Sequence, residues 1–304
     1  MRKPAAKKVV RVGTRGSLLA MAQAGEIKRK LEKKYPKLSF RLVVIQTRGD
    51  EFQVGVFTKA IEEALLKNRV DIAVHSLKDL PTELPKGLCL AAFPKRLDPG
   101  DVLISKRRYT LQTLPKNAVV GTGSPRRKRQ IQLIRPDLCL ADIRGNLDTR
   151  VRKVIHGKKY AAAVVAKAGL KRLKKYLNFA VPIPLKEVMP AVGQAALGIE
   201  TRKSDRTLIR LLKPLNDPRT KMQVCAERRF LKELRGGCRV PVGILSEIRQ
   251  NKIRIRAAVF STRSEAAVTG EIRGPASQSE KLAAILAKKL LKKGAGRLLR
   301  EARS

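Results

Sequence analysis

The chain has 304 residues, 43% of them hydrophobic, which is enough for two or three compact domains. It carries 68 lysines and arginines against 25 acidic residues, a net charge of +43 that points to anionic ligands, nucleic acid or an unusual cellular environment. No apolar run approaches the roughly 18–20 residues of a membrane span, and with 4% aromatic residues and no Trp there are few platforms for stacking bases.

The basic N-terminus is not followed by the apolar stretch of a secretory leader, because Arg11 interrupts residues 9–12. Cysteines at 89, 139, 225 and 238 form no CxxC or zinc-ligand spacing, which favours free thiols in a reduced, cytoplasmic compartment. His75 and His156 are the two histidines, too few for a His-rich metal site or a Ser-His-Asp triad, and no metal is expected. Lysine-rich runs such as 28–34 read as solvated helix faces.

Residues 9–12 read as a first strand, followed by Gly13-Thr14-Arg15-Gly16-Ser17 and a helix over about 18–31. A strand, a Gly/Ser/Thr turn and a helix N-terminus together form an anion cradle, to which Arg15 adds a planar fork. A second strand over 40–45 ends in Thr47-Arg48-Gly49-Asp50, and a helix over 58–67 leads to Asp71-Ile72-Ala73-Val74-His75-Ser76-Leu77-Lys78-Asp79-Leu80-Pro81. Residues 71–74 read as a buried parallel strand, with Ser76, Lys78 and Asp79 just beyond its carboxyl end, where open α/β sheets bind ligands. A carboxylate beside an ammonium there has two readings. It is a tuned group able to meet a cationic intermediate, or a surface ion pair at a helix start.

The same order recurs. Residues 118–120 lead to Gly121-Thr122-Gly123-Ser124-Pro125 and a helix over about 126–134; residues 138–143 end in Arg144-Gly145-Asn146; a helix over about 147–155 leads to an apolar run at 161–165. Three matched turns in one order predict two similar α/β domains facing each other across a cleft. Aligning 71–74 with 161–164 sets Gly169 opposite Asp79, so the first half carries the carboxylate, while the second offers Arg126, Arg127, Arg144, Arg150 and Arg172.

Residues 93–101, rich in Pro and Gly, and the proline-containing 181–184 read as crossovers, with a helix starting at 189–194. The expected division is 1–98 with 190–218 as the first domain, 99–189 as the second and 219–304 as the third. The third domain reads as a helix over 224–234, strands over 253–260 and 266–272, and a final helix over 279–291. Before those strands lies Arg235-Gly236-Gly237-Cys238-Arg239-Val240-Pro241. Glycines allow close approach and cationic neighbours favour the thiolate at Cys238, whereas Cys89, Cys139 and Cys225 sit in apolar or helical contexts and read as inert core thiols.

These motifs, with Leu140 to Asn146 and Pro190-Ala191-Val192-Gly193-Gln194, closely resemble the porphobilinogen deaminase (hydroxymethylbilane synthase) family over nearly the whole chain. The resemblance implies two domains like those of type 2 periplasmic binding proteins plus a smaller C-terminal α+β domain. It implies a monomeric transferase of tetrapyrrole and heme biosynthesis that joins four porphobilinogens head to tail, with release of ammonia, into linear hydroxymethylbilane. A dipyrromethane cofactor on Cys238 through a thioether acts as primer, and Asp79 matches the catalytic aspartate, stabilising the cationic azafulvene formed as the substrate loses ammonia. Ser76, Lys78, Thr122, Ser124, Arg126, Arg127, Arg144 and Gly145 match cofactor-binding positions, and Arg15, Ser17, Asp50, Arg150, Arg172 and Gln194 match substrate-binding ones. The implied partner is a small molecule, with neither membrane nor nucleic acid.

Two departures stand out. The family usually has a longer loop with a Gly-Gly-Lys-Gly tip after the Arg-Gly-Asp turn, where this chain has only Glu51-Phe52-Gln53-Val54 before Gly55, which bears on lid closure and processivity. The family usually has glycine where this chain has Ala195. The competing reading, a non-catalytic relative that binds anions or nucleic acid through its basic surface, is weakened by the presence of both Asp79 and Cys238.

Overall fold

A computed structural model describes residues 9–46, 56–235 and 240–302. The chain divides into two compact units, Met1–Lys95 with Leu197–Asp217 and Arg96–Ala196 with Pro218–Ser304. The first opens with β1 (Val9–Thr14), α1 (Leu18–Lys34), β2 (Ser39–Val44), α2 (Val56–Leu66), β3 (Ile72–Ser76) and β4 (Leu88–Ala92). The second follows with β5 (Asp101–Ile104), β6 (Val119–Gly121), α3 (Pro125–Ile134), β7 (Cys139–Ala141), α4 (Leu147–Ile155), β8 (Ala162–Ala166), α5 (Lys167–Leu173) and β9 (Ala180–Pro182). The chain then returns to the first unit with β10 (Leu197–Arg202) and α6 (Arg206–Leu212). It ends in the second with α7 (Pro218–Glu233), β11 (Val242–Arg249), β12 (Lys252–Phe260), β13 (Ala267–Pro275), α8 (Ser279–Leu290) and α9 (Gly296–Glu301).

The duplication seen in the motifs is a duplication of strand order. The first sheet runs β2-β1-β3-β10-β4 and the second β7-β6-β8-β5-β9. In each, three parallel strands meet an antiparallel fourth, β10 beside β3 and β5 beside β8. Side chains alternate across β3. Ile72 and Val74 pack with Ala24, Ile27 and Leu31 of α1, while Ala73 packs with Ile61, Ala64 and Leu65 of α2. The second sheet is likewise covered on both faces, by Ile131 of α3 with Val120 and Val164, and by Val151 and Val154 of α4 with Ala163 and Val165. Both sheets are mixed α/β layers, and the antiparallel β11-β12-β13 sheet packs its own core against α7 and α8.

Helix ends follow local chemistry. Ser17 caps α1 by accepting from the Ala20 N–H at 3.3 Å, and Lys33 and Lys34 lie at its negative end. Pro125 opens α3, Asn146 and Asp148 open α4, and Pro218 opens α7 six residues before the expected start. β11 was not foreseen. Nor does a helix start at 189–194: that stretch forms two turns, Gln194 N–H to Ala191 O and Ala196 N–H to Gly193 O, with Gly193 at φ 65 and Ala195 at φ 71. Left-handed backbone at both positions is incompatible with a helix. Cys139 is exposed on the edge strand β7, so it is not the core thiol its apolar context predicts.

A buried polar knot holds the second unit together. Asp101, at the start of β5, is fully buried and accepts from Arg126 Nη2 at 2.9 Å, Arg127 Nε and Nη2 at 3.0 and 2.7 Å, and Gln194 Nε2 at 2.8 Å. Burial alone would raise this carboxyl, but the charges and hydrogen bonds of Arg127 and Arg126 hold it far below the usual carboxylate range. Gln194 passes the network on: its carbonyl accepts from Arg96 Nε at 2.8 Å, and Arg96 forms a two-pronged pair with Glu227 of α7 at 2.7 and 3.0 Å. Glu227 also accepts from the Gly193 and Ser246 N–H groups, which ties the 193–195 turn and β11 to α7.

Asp101→Asn leaves two buried guanidiniums without their counter-charge and is expected to cost about 3–5 kcal/mol of stability in urea unfolding. The folded carboxyl titrates below its unfolded value of about 3.9. Its stabilisation is therefore complete above about pH 5, and the gap between wild type and variant narrows on acidification through and below about pH 4. Ala195→Gly relieves a left-handed alanine that is 8% exposed. After the entropic cost of glycine in the unfolded chain, a net gain of about 0.5–1 kcal/mol is expected in the same measurement.

Candidate active site

The parallel pairing of β1 with β3, Val12 against Ile72 and Gly13 against Ala73, brings two strand ends side by side. Thr14 closes the first by donating from Oγ1 to Ala20 O at 3.1 Å, and the chain then presents Arg15 and the capping Ser17. Beyond β3 the chain makes a three-residue 3-10 turn, Leu77–Asp79, anchored by the buried Leu77 side chain. Ser76 exchanges hydrogen bonds with the buried amide of Gln23 on α1, at 2.8 and 3.1 Å. Lys78 is half-buried and Asp79 exposed. Arg15 is half-buried, and burial lowers its guanidinium while the negative charge of Asp79 works against that shift. One sheet end thus combines a carboxylate, a guanidinium, an ammonium and two hydroxyls.

In the second unit β6, β7 and β8 are parallel, so their carboxyl ends are likewise neighbours. Thr122 is buried and its Oγ1 accepts from the Ser124 N–H at 3.3 Å; the Ser124 side chain makes no capping bond to α3. Gly145 takes φ 110, where a Cβ would stand 2.8 Å from Thr149 Cγ2, and its carbonyl accepts from Arg150 Nε at 2.7 Å. This turn exposes the Arg144 side chain. Arg172, on α5, donates to Ala195 O at 3.1 Å. Arg126, Arg127 and Gln194 lie deeper, gathered on Asp101, with Arg127 also donating to Val164 O and Arg126 to Met189 O. Arg126 Nε is buried with no hydrogen-bond partner among the described residues.

The structure therefore groups Arg15, Ser17, Ser76, Lys78 and Asp79 in one unit and Thr122, Ser124, Arg144, Gly145 and Arg150 in the other. Asp50, with the shortened loop that follows it, and Cys238 lie outside the described residues. Sequence reasoning missed Asp101, Gln23 and the Arg96–Glu227 pair. An acid opening the apolar run Val102-Leu103-Ile104, in so basic a chain, is the signal by which Asp101 could have been found.

The donor set is cationic or hydroxylic in both units, and Arg126 keeps a spare buried N–H. That chemistry fits a ligand bearing several carboxylates, as a dipyrromethane with acetate and propionate arms does. Among the described residues, no cluster of His, Cys, Asp and Glu has the arrangement of a metal site.

Residues 10–210 match the family model described as porphobilinogen deaminase, dipyromethane cofactor binding domain, and residues 221–292 match that of the porphobilinogen deaminase C-terminal domain. The porphobilinogen deaminase of Syntrophus aciditrophicus is 44% identical, covering 96% of this chain and 98% of the relative. That of Moorella thermoacetica is 42% identical over 97% of each chain. The effector-binding domain of BenM with benzoate is a distant likeness, 14% identical with a TM-score of 0.43 over 70% of this chain and 97% of that one. With both domain matches in sequence order and relatives this similar over nearly their full length, the chain belongs to the porphobilinogen deaminase family.

Proposed function

We propose that this protein is the transferase of tetrapyrrole biosynthesis that joins four porphobilinogens head to tail, with release of ammonia, into hydroxymethylbilane. The observation that carries this reading is the placement of Asp79 and Arg15 at the adjoining ends of β3 and β1, in a chain of this family. Cys238 holds a dipyrromethane through a thioether, with Ser76, Lys78, Thr122, Ser124, Arg126, Arg127, Arg144 and Gly145 binding its polar groups. When bound, that group supplies the pyrrole carbon from which the chain is extended.

The protein's own residues do the rest. Asp79 is exposed at the tip of a short turn, where its oxygens accept from a pyrrole N–H and offset the cationic charge that develops as the substrate loses ammonia. Arg15, Arg150 and Arg172 offer planar forks for the acetate and propionate groups, and Ser17, Asp50 and Gln194 complete the substrate set. Arg126 and Arg127 act from beneath with the N–H groups that Asp101 leaves over. The three separate sheets, each with its own core, support a division into domains at 1–98 with 190–218, 99–189 and 219–304. The protein is assigned as a cytoplasmic monomer acting on a small molecule, without membrane or nucleic-acid partners. Free thiols at Cys89, Cys139 and Cys225 agree with a reducing compartment, and no helix of the described residues is long and apolar enough to cross a membrane.

The intact mass of the denatured protein is expected to exceed the polypeptide mass by one dipyrromethane, and Cys238→Ser is expected to lose both that increment and turnover. An adduct that persists in Cys238→Ser would end the thioether assignment. Asp79→Asn keeps the shape of the side chain and is expected to retain the adduct while kcat falls by about 10²-fold or more. Wild-type turnover would reduce Asp79 to a surface residue. Arg144→Leu, in contrast, is expected to impair adduct assembly or chain extension, visible as missing or stalled species in the same mass spectra.

A further inference from the structure

One face of the first sheet carries an ionisable cluster that the proposed chemistry does not use. Glu200, on β10, has a fully buried side chain, and its Oε2 lies 2.9 Å from Nε2 of His75, whose side chain is 5% exposed. The register sets Glu200 against Ala73 and Gly198 against His75, so the two side chains are diagonal neighbours on one face. Glu62 of α2, also buried, belongs to the same group. Burial and the charge of Glu200 push its carboxyl up, while His75 and a hydrogen bond with Thr58 oppose that. Oε1 of Glu62 and Oε1 of Glu200 are both buried without a hydrogen-bond partner among the described residues.

Two carboxyls and an imidazole are a costly way to fill the space beneath a helix, because aliphatic side chains would do so without desolvating any polar group. Their place in the chain is informative. His75 immediately precedes Ser76 and stands three and four residues before Lys78 and Asp79, which sit on a single 3-10 turn beyond the strand. A charge-assisted hydrogen bond in a low-dielectric interior is stiff and directional, whereas apolar contacts tolerate small slides.

We infer that the buried His75–Glu200 pair, covered by Glu62, is a positioning device for the reaction: it clamps the end of β3 to β10 and so fixes where Lys78 and Asp79 are presented. This rests on the function proposed above. His75 acts through the turn, so it is a positioning residue, and its effect falls on turnover more than on binding, since small errors in the placement of a reacting group are costly in rate.

The test compares Glu200→Gln, which keeps shape and an acceptor but removes the charge, with His75→Leu, His75→Gln and the control Val74→Ala, which weakens the same strand on its opposite face. Glu200→Gln and His75→Leu are expected to lower kcat about 10–100-fold with KM for porphobilinogen within twofold and the adduct mass retained. His75→Gln, whose amide nitrogen can take the place of Nε2, is expected to recover about tenfold over His75→Leu. The backbone amide resonances of Lys78 and Asp79 are expected to shift in Glu200→Gln. Unchanged kcat in Glu200→Gln, an equal loss of kcat in Val74→Ala, or no recovery in His75→Gln would overturn the inference. A wild-type protein that makes no hydroxymethylbilane would overturn the proposed function instead. The amide resonances then decide the inference alone, and unmoved Lys78 and Asp79 signals in Glu200→Gln would end it.

Discussion

The second unit is organised around one carboxylate. Asp101 neutralises one of two adjacent buried guanidiniums and leaves the cluster with a net positive charge. Such a group is expensive to desolvate, and it persists because every oxygen of Asp101 is hydrogen-bonded and the network continues through Gln194 to Arg96 and Glu227. The consequence is geometric. β5, α3, the 193–195 turn, α7 and β11 share one polar chain, so the arginine-bearing helix and the C-terminal sheet cannot shift independently without breaking buried ion pairs. The residual positive charge, with the spare Nε of Arg126, is also what a polycarboxylate ligand requires.

The strongly basic composition takes on a different meaning beside this network. Acidic residues are scarce, yet Asp101, Glu227, Glu200 and Glu62 are spent in the interior, where a counter-charge or a proton is obligatory. Others hold surface arginines and lysines, as Asp71 does between β3 and β1, where Arg11 binds it through both the side chain and the backbone N–H. What remains outside is an excess of ammonium and guanidinium groups. Their summed field favours anionic substrates at long range and is screened by salt.

The repeated strand order yields two unlike strand ends. Beyond β3 the chain makes a 3-10 turn that carries Lys78 and Asp79 outward, whereas beyond β8 it continues directly into α5, where Gly169 is buried. The same scaffold thus delivers a carboxylate in one unit and, in the other, frees its loops for arginines. Ala195, held left-handed, shows that the crossover turn is imposed by its surroundings: Gly193 N–H is fixed to Glu227 and the Ala195 carbonyl to Arg172, which outweighs the local preference of alanine.

Much of this was legible in the amino-acid sequence. Turn chemistry and periodicity are local properties, so the strand–turn–helix units, the doubled order, the cluster around Asp79 and the family followed from residues a few positions apart. The antiparallel strands β5 and β10 were not legible, because each joins its sheet from the far side of a crossover and pairing partners lie many residues away. For the same reason Arg126 and Arg127 read as anion receptors with no partner of their own, although folding gathers them, with Gln194, on Asp101. Local sequence determined which chemistry the protein carries; only tertiary structure decided which charges meet, since burial and ion pairing belong to distances in space and not to spacing along the chain.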